Sequence, residues 1–418
     1  MLKASTRLTF PFLFLTLVLV LLLIGSTVSV AQTFTTLYTF PGGSAGLHPG
    51  GLVFGKSGAL YGWTSQGGIP KSCSPTASCG TVFQLKPPSK VGGKWTKTTI
   101  YAFQNYADGA TPAGRFLTGN HGELYGVTSY GGSSGYGAVF QLTPPVKTGG
   151  TWIKSEIYSF NGTDGANPVA GVVADTSGNL YGTTLNGGTY REGTVFELMP
   201  PVIIGGPWTE TVIHSFNPYG LGHDGYHPRA ELLMSPSGGF YGTTSDDQCA
   251  LVCGTLFFNG GWINLFGGYD GGRPTYLTFR KGALDGITLQ GGGVHCGQGC
   301  GTVFEWTGSQ KLILYIFDGT FGSFPDAILA DSSGALYGAA GAGGANSSCF
   351  GGCGTIFKLS LVKGQWTPTL LYNFTGGTDG YAPSSLIRNA GVFYGTTEFG
   401  GNPTACKGKG CGTVFKIQ

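Results

Sequence analysis

Hydrophobic and polar residues alternate in short runs along this chain, and a set of four runs recurs seven times. The first run is apolar and leads into a tight turn, as residues 327–330 do. The second contains Leu-Tyr-Gly-Thr-Thr, the third contains Gly-Thr-Val-Phe, and the fourth ends in two aromatic residues such as Tyr101 and Phe103. Residues two apart lie on one face of a strand. The pattern therefore predicts four antiparallel strands per unit.

The third run marks the repeat most clearly, because its glycine returns in every unit. A period of about 40–60 residues with short strands and Gly-rich turns is typical of propellers and solenoids. We predict an all-β, seven-bladed β-propeller with four antiparallel strands per blade. The seven glycines are Gly80, Gly137, Gly193, Gly254, Gly301, Gly354 and Gly412.

The two ends of the repeat array complement each other. Residues 33–40, which include Tyr38 and Phe40, match a fourth run, whereas the last unit stops after its third run at Gln418. We expect residues 33–40 to pair into the blade formed by residues 380–418 and to close the ring, which removes exposed strand edges. A β-helix would need no such exchange. Residues 32–418 then form a single propeller domain.

The first 31 residues read as a signal peptide rather than as part of the fold. Lys3 and Arg7 precede an apolar run over residues 8–24, and Ser29-Val30-Ala31 offers a small-x-small cleavage site. An uncleaved anchor is the alternative. Cleavage would leave Gln32 as the first residue and a secreted protein, whether extracellular, on the cell surface or in the periplasm.

Charge narrows the range of partners. Removing Lys3 and Arg7 lowers the formal net charge from +3 to +1, and only 10% of residues are charged. A surface of this charge does not favour nucleic acid or anionic lipid. We therefore expect a monomer that binds neither nucleic acid nor, after removal of the signal peptide, a membrane.

All ten cysteines lie in five local pairs, and the second member of each directly precedes a Gly-Thr-x-Phe run. Paired cysteines in an exported chain predict disulfides that close short loops. The alternative, a Cys₄ metal site, would need pairs from two units to converge. We expect disulfides and no cofactor or metal. The pairs are Cys73/Cys79, Cys249/Cys253, Cys296/Cys300, Cys349/Cys353 and Cys406/Cys411.

The repeat unit, followed in three places by Pro-Pro (Pro87-Pro88, Pro144-Pro145 and Pro200-Pro201), resembles the GloVer tandem repeat of exported bacterial proteins. The resemblance spans essentially the whole chain after residue 31. It implies an extracellular or surface-associated protein and carries over no catalytic or binding residues.

Two loop types should share one face of the propeller, because both lie at the same end of the strands. One carries a repeated Asp-Gly-x-x-Pro and the other carries the cysteine pairs. Loops held by a rigid scaffold often bind ligands. The Asp is a common turn former, and a ring of such carboxylates could instead hold Ca²⁺ or glycan hydroxyls. The residues between Gly and Pro vary, which is typical either of a binding rim or of ordinary loop variation.

Two further acids stand out. Asp285 replaces the recurrent tyrosine of the second run, so it is a paired structural acid, an exposed residue or a functional group. His223, Asp224 and His227 could begin a metal site, although a solvent-exposed loop explains them as well. The complete candidate ligand-binding set is His48, Asp224, Tyr226, His227, Arg273, Asp285, Phe324 and Tyr381.

Catalytic motifs such as a nucleophile elbow, a His-Glu-x-x-His helix or a phosphate loop are absent from the sequence. We therefore name no catalytic residue. The sequence favours an exported binding or scaffolding module for a carbohydrate or a cell-surface partner. A polysaccharide-active hydrolase or lyase and a purely structural envelope protein are the alternatives.

Overall fold

A computed structural model describes residues 32–68, 79–90, 92–147, 149–203, 205–219, 224–246, 253–293 and 296–418. Residues 34–418 form one compact unit, in which seven antiparallel sheets are arranged as the blades of a propeller. The predicted signal peptide lies outside the described residues and stays a prediction. No helix in the described ranges is long and apolar enough to cross a bilayer.

The strands of the first four blades follow chain order from the inner strand outward. Blade 1 comprises β2 (Leu47–Phe54), β3 (Leu60–Gln66), β4 (Thr81–Lys86) and β5 (Thr96–Ala102). Blade 2 comprises β6 (Ala110–Thr118), β7 (Leu124–Tyr130), β8 (Ala138–Thr143) and β9 (Ile153–Ser159). Blade 3 comprises β10 (Val173–Ala174), β11 (Leu180–Thr184), β12 (Thr194–Met199) and β13 (Thr209–Ser215). Blade 4 comprises β14 (Tyr226–Pro228), β15 (Leu233–Met234), β16 (Phe240–Asp246), β17 (Cys253–Phe258) and β18 (Gly261–Gly267).

The remaining three blades have the same order, except that the last takes its outer strand from the start of the chain. Blade 5 comprises β19 (Gly272–Arg280), β20 (Ala283–Gln290), β21 (Thr302–Trp306) and β22 (Lys311–Ile316). Blade 6 comprises β23 (Ser323–Ala330), β24 (Leu336–Ala342), β25 (Thr355–Val362) and β26 (Gln365–Asn373). Blade 7 comprises β27 (Tyr381–Asn389), β28 (Val392–Phe399), β29 (Thr413–Ile417) and β1 (Phe34–Thr39). Short 3-10 helices are Gly43–Ala45, Lys56–Gly58, Tyr106–Asp108, Gly268–Asp270 and Cys406–Gly408.

The predicted ring closure is confirmed. Strand β1 pairs antiparallel with β29, with Phe34 opposite Ile417 and Thr39 opposite Thr413. The N-terminal strand therefore supplies the outer strand of blade 7, and the sequence prediction of a closed seven-bladed propeller is correct.

Aromatic contacts join each blade to the next. The last aromatic residue of an outer strand packs on the phenylalanine of Gly-Thr-x-Phe in the following blade, with ring centroids 4.7 to 5.4 Å apart. Such contacts contribute about 0.5–1.5 kcal/mol each beyond the burial of their area. The pairs are Phe40–Phe83, Phe103–Phe140, Phe160–Phe196, Phe216–Phe257, Phe266–Phe304, Phe317–Phe357 and Phe374–Phe415.

A second contact between blades explains the glycine of the same motif. In all seven blades this glycine has a positive φ, from +92° to +155°, and a Cβ there would lie 2.4 to 2.7 Å from the Cδ of a proline in the next blade. Only glycine combines this backbone conformation with so close an approach. The proline is the one that ends Asp-Gly-x-x-Pro, or its counterpart in blades 1 and 6. The pairs are Gly80–Pro112, Gly137–Pro168, Gly193–Pro228, Gly254–Pro274, Gly301–Pro325, Gly354–Pro383 and Gly412–Pro49.

Three predicted disulfides are present among the described residues: Cys296–Cys300, Cys349–Cys353 and Cys406–Cys411. Cys79 and Cys253 are also disulfide-bonded, but their predicted partners, Cys73 and Cys249, lie outside the described residues. The described disulfides lie against the loop that leads to the next blade. Two of these loops have a glycine next to the disulfide, Gly42 and Gly376. A Cβ at Gly42 would lie 3.0 Å from Cys411 Sγ, and a Cβ at Gly376 would lie 2.6 Å from Cys349 Sγ. The cysteine loops and these inter-blade loops therefore share a face, as predicted.

Buried hydroxyl pairs connect the second and third strands of five blades. The threonine of Gly-Thr-x-Phe and a threonine of the second strand lie with their Oγ1 atoms 2.8 to 2.9 Å apart. In blade 2, Ala138 stands opposite Thr128 instead, and the buried Oγ1 of Thr128 has no hydrogen-bond partner. An unsatisfied buried hydroxyl destabilises the fold.

Ala138→Thr should therefore stabilise the protein, by about 1 kcal/mol, because it supplies the missing partner. Thermal unfolding measures the change. Ala138→Val is the matched control, since it adds similar volume without a hydroxyl and should not raise the melting temperature. Equal effects of the two variants would contradict the prediction.

One carboxyl group occupies a position that other blades give to lysine. Lys97, Lys154 and Lys311 on the outer strands reach the preceding inter-blade loop, where Lys154 Nζ lies 2.9 Å from Asp108 Oδ1 and Lys311 Nζ lies 2.5 Å from Asp270 Oδ2. In blade 3, Glu210 takes this place, and its buried Oε1 has no hydrogen-bond partner. Burial, followed by the charge on Asp164, raises the pKa of Glu210 to about 7.

Because the pKa of Glu210 is raised in the folded state, its ionisation should destabilise the propeller as the pH rises from about 4.5 through about 7. The full cost is at most about 3 kcal/mol. Glu210→Gln should remove this part of the pH dependence, and Glu210→Lys should raise the melting temperature at pH 8 by pairing with Asp164. Thermal unfolding from pH 5 to 9 tests both variants. Parallel curves for the wild type and Glu210→Gln would contradict the expectation.

Candidate functional site

The inner strands of the seven blades surround a cavity of about 270 Å³ in the central channel. Its polar lining is uneven around the ring. Gly50 and Gly51 come from blade 1, and Ser384 and Ser385 come from blade 7. The larger polar side chains are Trp63, Arg115, Glu231, Tyr276 and Asp326.

Local backbone geometry places these side chains in the channel. Four of them lie one to three residues after the proline that contacts the preceding blade, where the pairing of the inner strand is irregular, whereas Trp63 lies on the second strand of blade 1. In blade 2, Leu117 lies five positions after Pro112 and pairs with Tyr125, whereas in blade 6 Leu329 lies four positions after Pro325. The additional residue bends the backbone as a β-bulge does.

Arg115 and Glu231 form an ion pair across the channel. Arg115 Nη2 lies 2.8 Å from Glu231 Oε2, and the Glu231 side chain is only 12% exposed. The pair connects blades 2 and 4, and blade 3 between them contributes Gly171, at which a Cβ would lie 2.2 Å from the Arg115 carbonyl oxygen. Burial raises the pKa of Glu231, and the Arg115 guanidinium opposes this shift.

Asp326 and Tyr276 stand beside this ion pair. Burial, followed by the charge on Glu398, raises the pKa of Asp326 to about 7. Burial also raises the pKa of Tyr276, and the carboxylates of Asp326 and Glu231 add to the shift. Within the described part of the chain, neither side chain has a hydrogen bond or ion pair. The carboxyl and phenol groups are therefore available to a ligand.

The rim above the channel is built by the variable residues that precede the prolines. All seven have φ between +53° and +57°, which costs a non-glycine residue about 1–2 kcal/mol. In six of them the backbone N–H donates to a carbonyl of the preceding blade over 2.7 to 3.1 Å. The rim backbone is therefore fixed while its side chains vary. The seven residues are His48, Thr111, Asn167, His227, Arg273, Phe324 and Ala382.

Two predicted residues meet where blades 7 and 1 join. The Tyr381 ring stacks on Phe399 with centroids 5.1 Å apart, and the His48 ring lies edge-on to the same phenylalanine at 4.8 Å. His48 Nδ1 lies 3.2 Å from Glu398 Oε1. Glu398 also interacts with Asp326, so this cluster adjoins the channel.

Three more predicted residues form a second rim cluster. His227 lies between two carboxylates, with Nε2 3.1 Å from Glu192 Oε2 and Nδ1 3.1 Å from Asp246 Oδ2. Arg273 Nε approaches Asp246 Oδ1 at 3.9 Å, and the Tyr226 ring packs edge-on to His227. Phe324 belongs to neither cluster, and its backbone N–H donates to the carbonyl of Cys300.

Asp224 has its carboxylate occupied by its own turn. It accepts a hydrogen bond from the Asn217 N–H at 2.8 Å, and His214 Nε2 lies 2.9 Å from Oδ1. Asp108 and Asp379 cap their turns in the same way. His223 lies outside the described residues, and across the described ranges no group of three or more His, Cys, Asp or Glu side chains is arranged to hold a metal ion.

Asp285 lies away from both the rim and the channel cavity. It is fully buried and accepts from Arg280 Nε at 2.6 Å and from Nη2 at 2.9 Å. Arg280 also binds Glu305 and lies over the Trp366 ring of the next blade. Burial raises the pKa of Asp285 to about 6, against the opposing effect of Arg280. Of the three sequence interpretations, the structure matches the paired structural acid.

The channel residues Arg115, Glu231, Tyr276 and Asp326 were not among the sequence candidates. The sequence does contain a feature that points to these positions: the residues just after the recurrent proline differ between repeats, whereas the proline itself is constant. The number of residues between this proline and the Leu-Tyr-Gly run also differs among blades. Neither observation alone shows which side chains point into the channel.

Solved structures of several propellers resemble this one. The WD40 β-propeller domain of Doa1 matches with a TM-score of 0.52 and 11% identity over 92% of this chain and 97% of that chain. A protein from Lactobacillus plantarum matches with a TM-score of 0.50 and 14% identity over 78% and 87%. The periplasmic gluconolactonase PpgL of Pseudomonas aeruginosa gives 0.48 and 14% over the same shares. At such identities the likeness concerns the fold alone.

None of the curated proteins compared with the chain matches it. A family model does match, over residues 25–257 and 262–418, and its description is the Gloeobacter/Verrucomicrobia repeat. This is the family that the recurring sequence unit resembles. The chain therefore belongs to the Gloeobacter/Verrucomicrobia repeat family.

Proposed function

We propose that the protein is an exported binding module that recognises a saccharide at the mouth of its central channel. The supporting observation is the channel cavity, in which Asp326 and Tyr276 have no hydrogen-bond partner in the described part of the chain. Both side chains are part-buried and line this cavity, and a cavity with a few convergent polar groups is the usual form of a ligand site.

The chemistry of the lining favours a polyhydroxylated ligand without a strong net charge. Arg115 is neutralised by Glu231, and the Asp326 carboxyl is partly protonated near pH 7 because its pKa is about 7. Carboxyl, phenol and hydroxyl groups exchange hydrogen bonds with sugar hydroxyls. The Trp63 side chain adds a flat apolar wall, and a cavity of about 270 Å³ is large enough for a terminal sugar unit.

Rim residues extend this site toward solvent. His48 and Tyr381, placed around Phe399, adjoin the channel through Glu398. His227 and Tyr226 lie farther round the rim. Aromatic and imidazole rings on a fixed backbone suit contact with the next units of a glycan chain. The rim set predicted from the sequence thus becomes the outer part of the proposed site.

The disulfides and the predicted signal peptide support export. Disulfides persist outside the reducing cytoplasm, and three are present in the described ranges. We propose that the mature propeller acts in the periplasm, on the cell surface or in the medium.

Binding of residues 32–418, which contain every strand of the ring, to an array of bacterial and plant polysaccharides tests the proposal. Asp326→Asn and Tyr276→Phe should each weaken binding about tenfold, because each removes a hydrogen bond to the ligand. Asp318→Asn, an exposed acid outside the channel, is the matched control and should bind as the wild type does. Wild-type binding by both channel variants would refute the channel site.

A hydrolase or lyase is the second candidate, favoured by the placement of two carboxyl groups around one phenol. The charges on Glu231 and Asp326 both raise the pKa of the Tyr276 phenol. The raised pKa of Asp326 suits a general acid. Release of reducing sugar in the same experiment distinguishes this candidate. Release of reducing sugar that is abolished by Asp326→Asn would establish catalysis. If neither binding nor release is detected, a structural role in the envelope is favoured.

A further inference from the structure

The face opposite the rim carries projecting aliphatic side chains among exposed lysines. It is formed by the turns that join the first strand to the second and the third to the fourth in each blade. Blades 1 to 3 contribute most of it. We call this surface the lysine–valine face, and its central residues are Lys56, Lys90, Val146, Lys147, Val202 and Ile203.

Three neighbouring blades present the same kind of turn at this face. Each turn follows a Pro-Pro pair, and its backbone is closed by hydrogen bonds from Gly93 to Lys90, from Gly150 to Lys147 and from Gly206 to Ile203, all 2.9 to 3.0 Å long. The Pro-Pro pair limits the flexibility of the turn. The described backbone on either side of each turn is therefore constrained.

The turns of blades 2 and 3 expose aliphatic side chains to solvent. Val146 and Val202 are 103% exposed, and Ile203 is 78% exposed. A single exposed aliphatic residue is ordinary, but several on adjacent projecting turns indicate an interaction surface. These side chains project from the protein rather than line a groove. Such a shape suits insertion into a soft, deformable partner.

Positive charge surrounds the aliphatic tips. Lys56, Lys90 and Lys147 are exposed, as are Lys86 and Lys94 beside them.

The acids in the described turns of this face are occupied. Glu123 accepts from the His121 N–H, Asp175 from the Ser177 N–H, and Asp331 from the Ser333 N–H. These acids keep their charge, but in blades 1 to 3 the described turns of this face carry five exposed lysines against two acids, Glu123 and Asp175, so this part of the face is basic.

We propose that the lysine–valine face docks on the surface of an anionic lipid bilayer. Aliphatic side chains would enter the boundary between headgroups and acyl chains, and the lysines would bind the negative headgroups. The expectation that the protein avoids anionic lipid rested on net charge, which averages over both faces. Docked in this way, the propeller would present its rim and channel away from the membrane.

Sedimentation of residues 32–418 with vesicles tests this proposal. The probes are phosphatidylcholine alone and phosphatidylcholine with 30% phosphatidylglycerol, about a typical anionic content, in 0.1 M salt. We expect binding to the anionic vesicles only. Lys90→Gln with Lys147→Gln should weaken binding roughly 25-fold, because each lysine contributes about fivefold. The triple variant Val146→Ser, Val202→Ser and Ile203→Ser should also lose binding.

Matched controls come from the rim face. Lys407→Gln with Lys409→Gln removes two exposed lysines there, and Phe350→Ser removes a fully exposed apolar side chain. Both should bind as the wild type does. Circular dichroism of each variant confirms that the fold is intact.

Three results would overturn the proposal. The first is the absence of binding to anionic vesicles, and the second is equal loss in the rim-face controls. The third is loss with the lysine variant but not with the aliphatic variant, together with competition by soluble dextran sulfate. That result would assign the face to a soluble polyanion instead.

Discussion

The contact between a glycine of one blade and a proline of the next sets the geometry of the propeller. It recurs at all seven junctions with a separation that admits no Cβ. The glycine starts the third strand of its blade, and the proline ends the rim segment of the next. One contact thus fixes the spacing of the blades, the strained φ of the rim residues and the point at which each inner strand enters the channel. The aromatic pairs fill the space that this spacing leaves between the blades.

The same constraint explains which residues are free to vary. A rim residue such as His48 or Phe324 is held in place by its backbone N–H hydrogen bond and by the proline after it. Its side chain therefore contributes little to the stability of the fold. The residues just after the proline, including Arg115 and Asp326, face the channel and have no common structural role. Variation is therefore concentrated at the rim and the channel lining, where a ligand site can change without loss of the ring.

The sequence predicted the blades, their closure and the disulfides because these depend on periodic contacts. Each periodic residue meets the same neighbour in every blade, as Phe103 meets Phe140. The channel site was missed because it depends on differences between blades. Arg115 meets Glu231 because blades 2, 3 and 4 share a longer inner segment and blade 3 places Gly171, which has no side chain, between the two. Asp285 drew attention as a departure from the pattern, yet Arg280 on the adjacent strand neutralises it within the blade.

Charge illustrates why composition is a weak guide to the surfaces of a propeller. Strands of alternating direction deliver successive loops to opposite faces, so residues close in sequence are separated by the height of a blade. Lys147 lies on one face, and Ser133 and Tyr136, in the preceding loop of the same blade, lie on the other. A net charge near zero therefore permits a basic face and a face of His–carboxylate clusters in one molecule. If both proposals hold, the repeat acts as a spacer that separates a membrane-facing surface from a glycan-facing one.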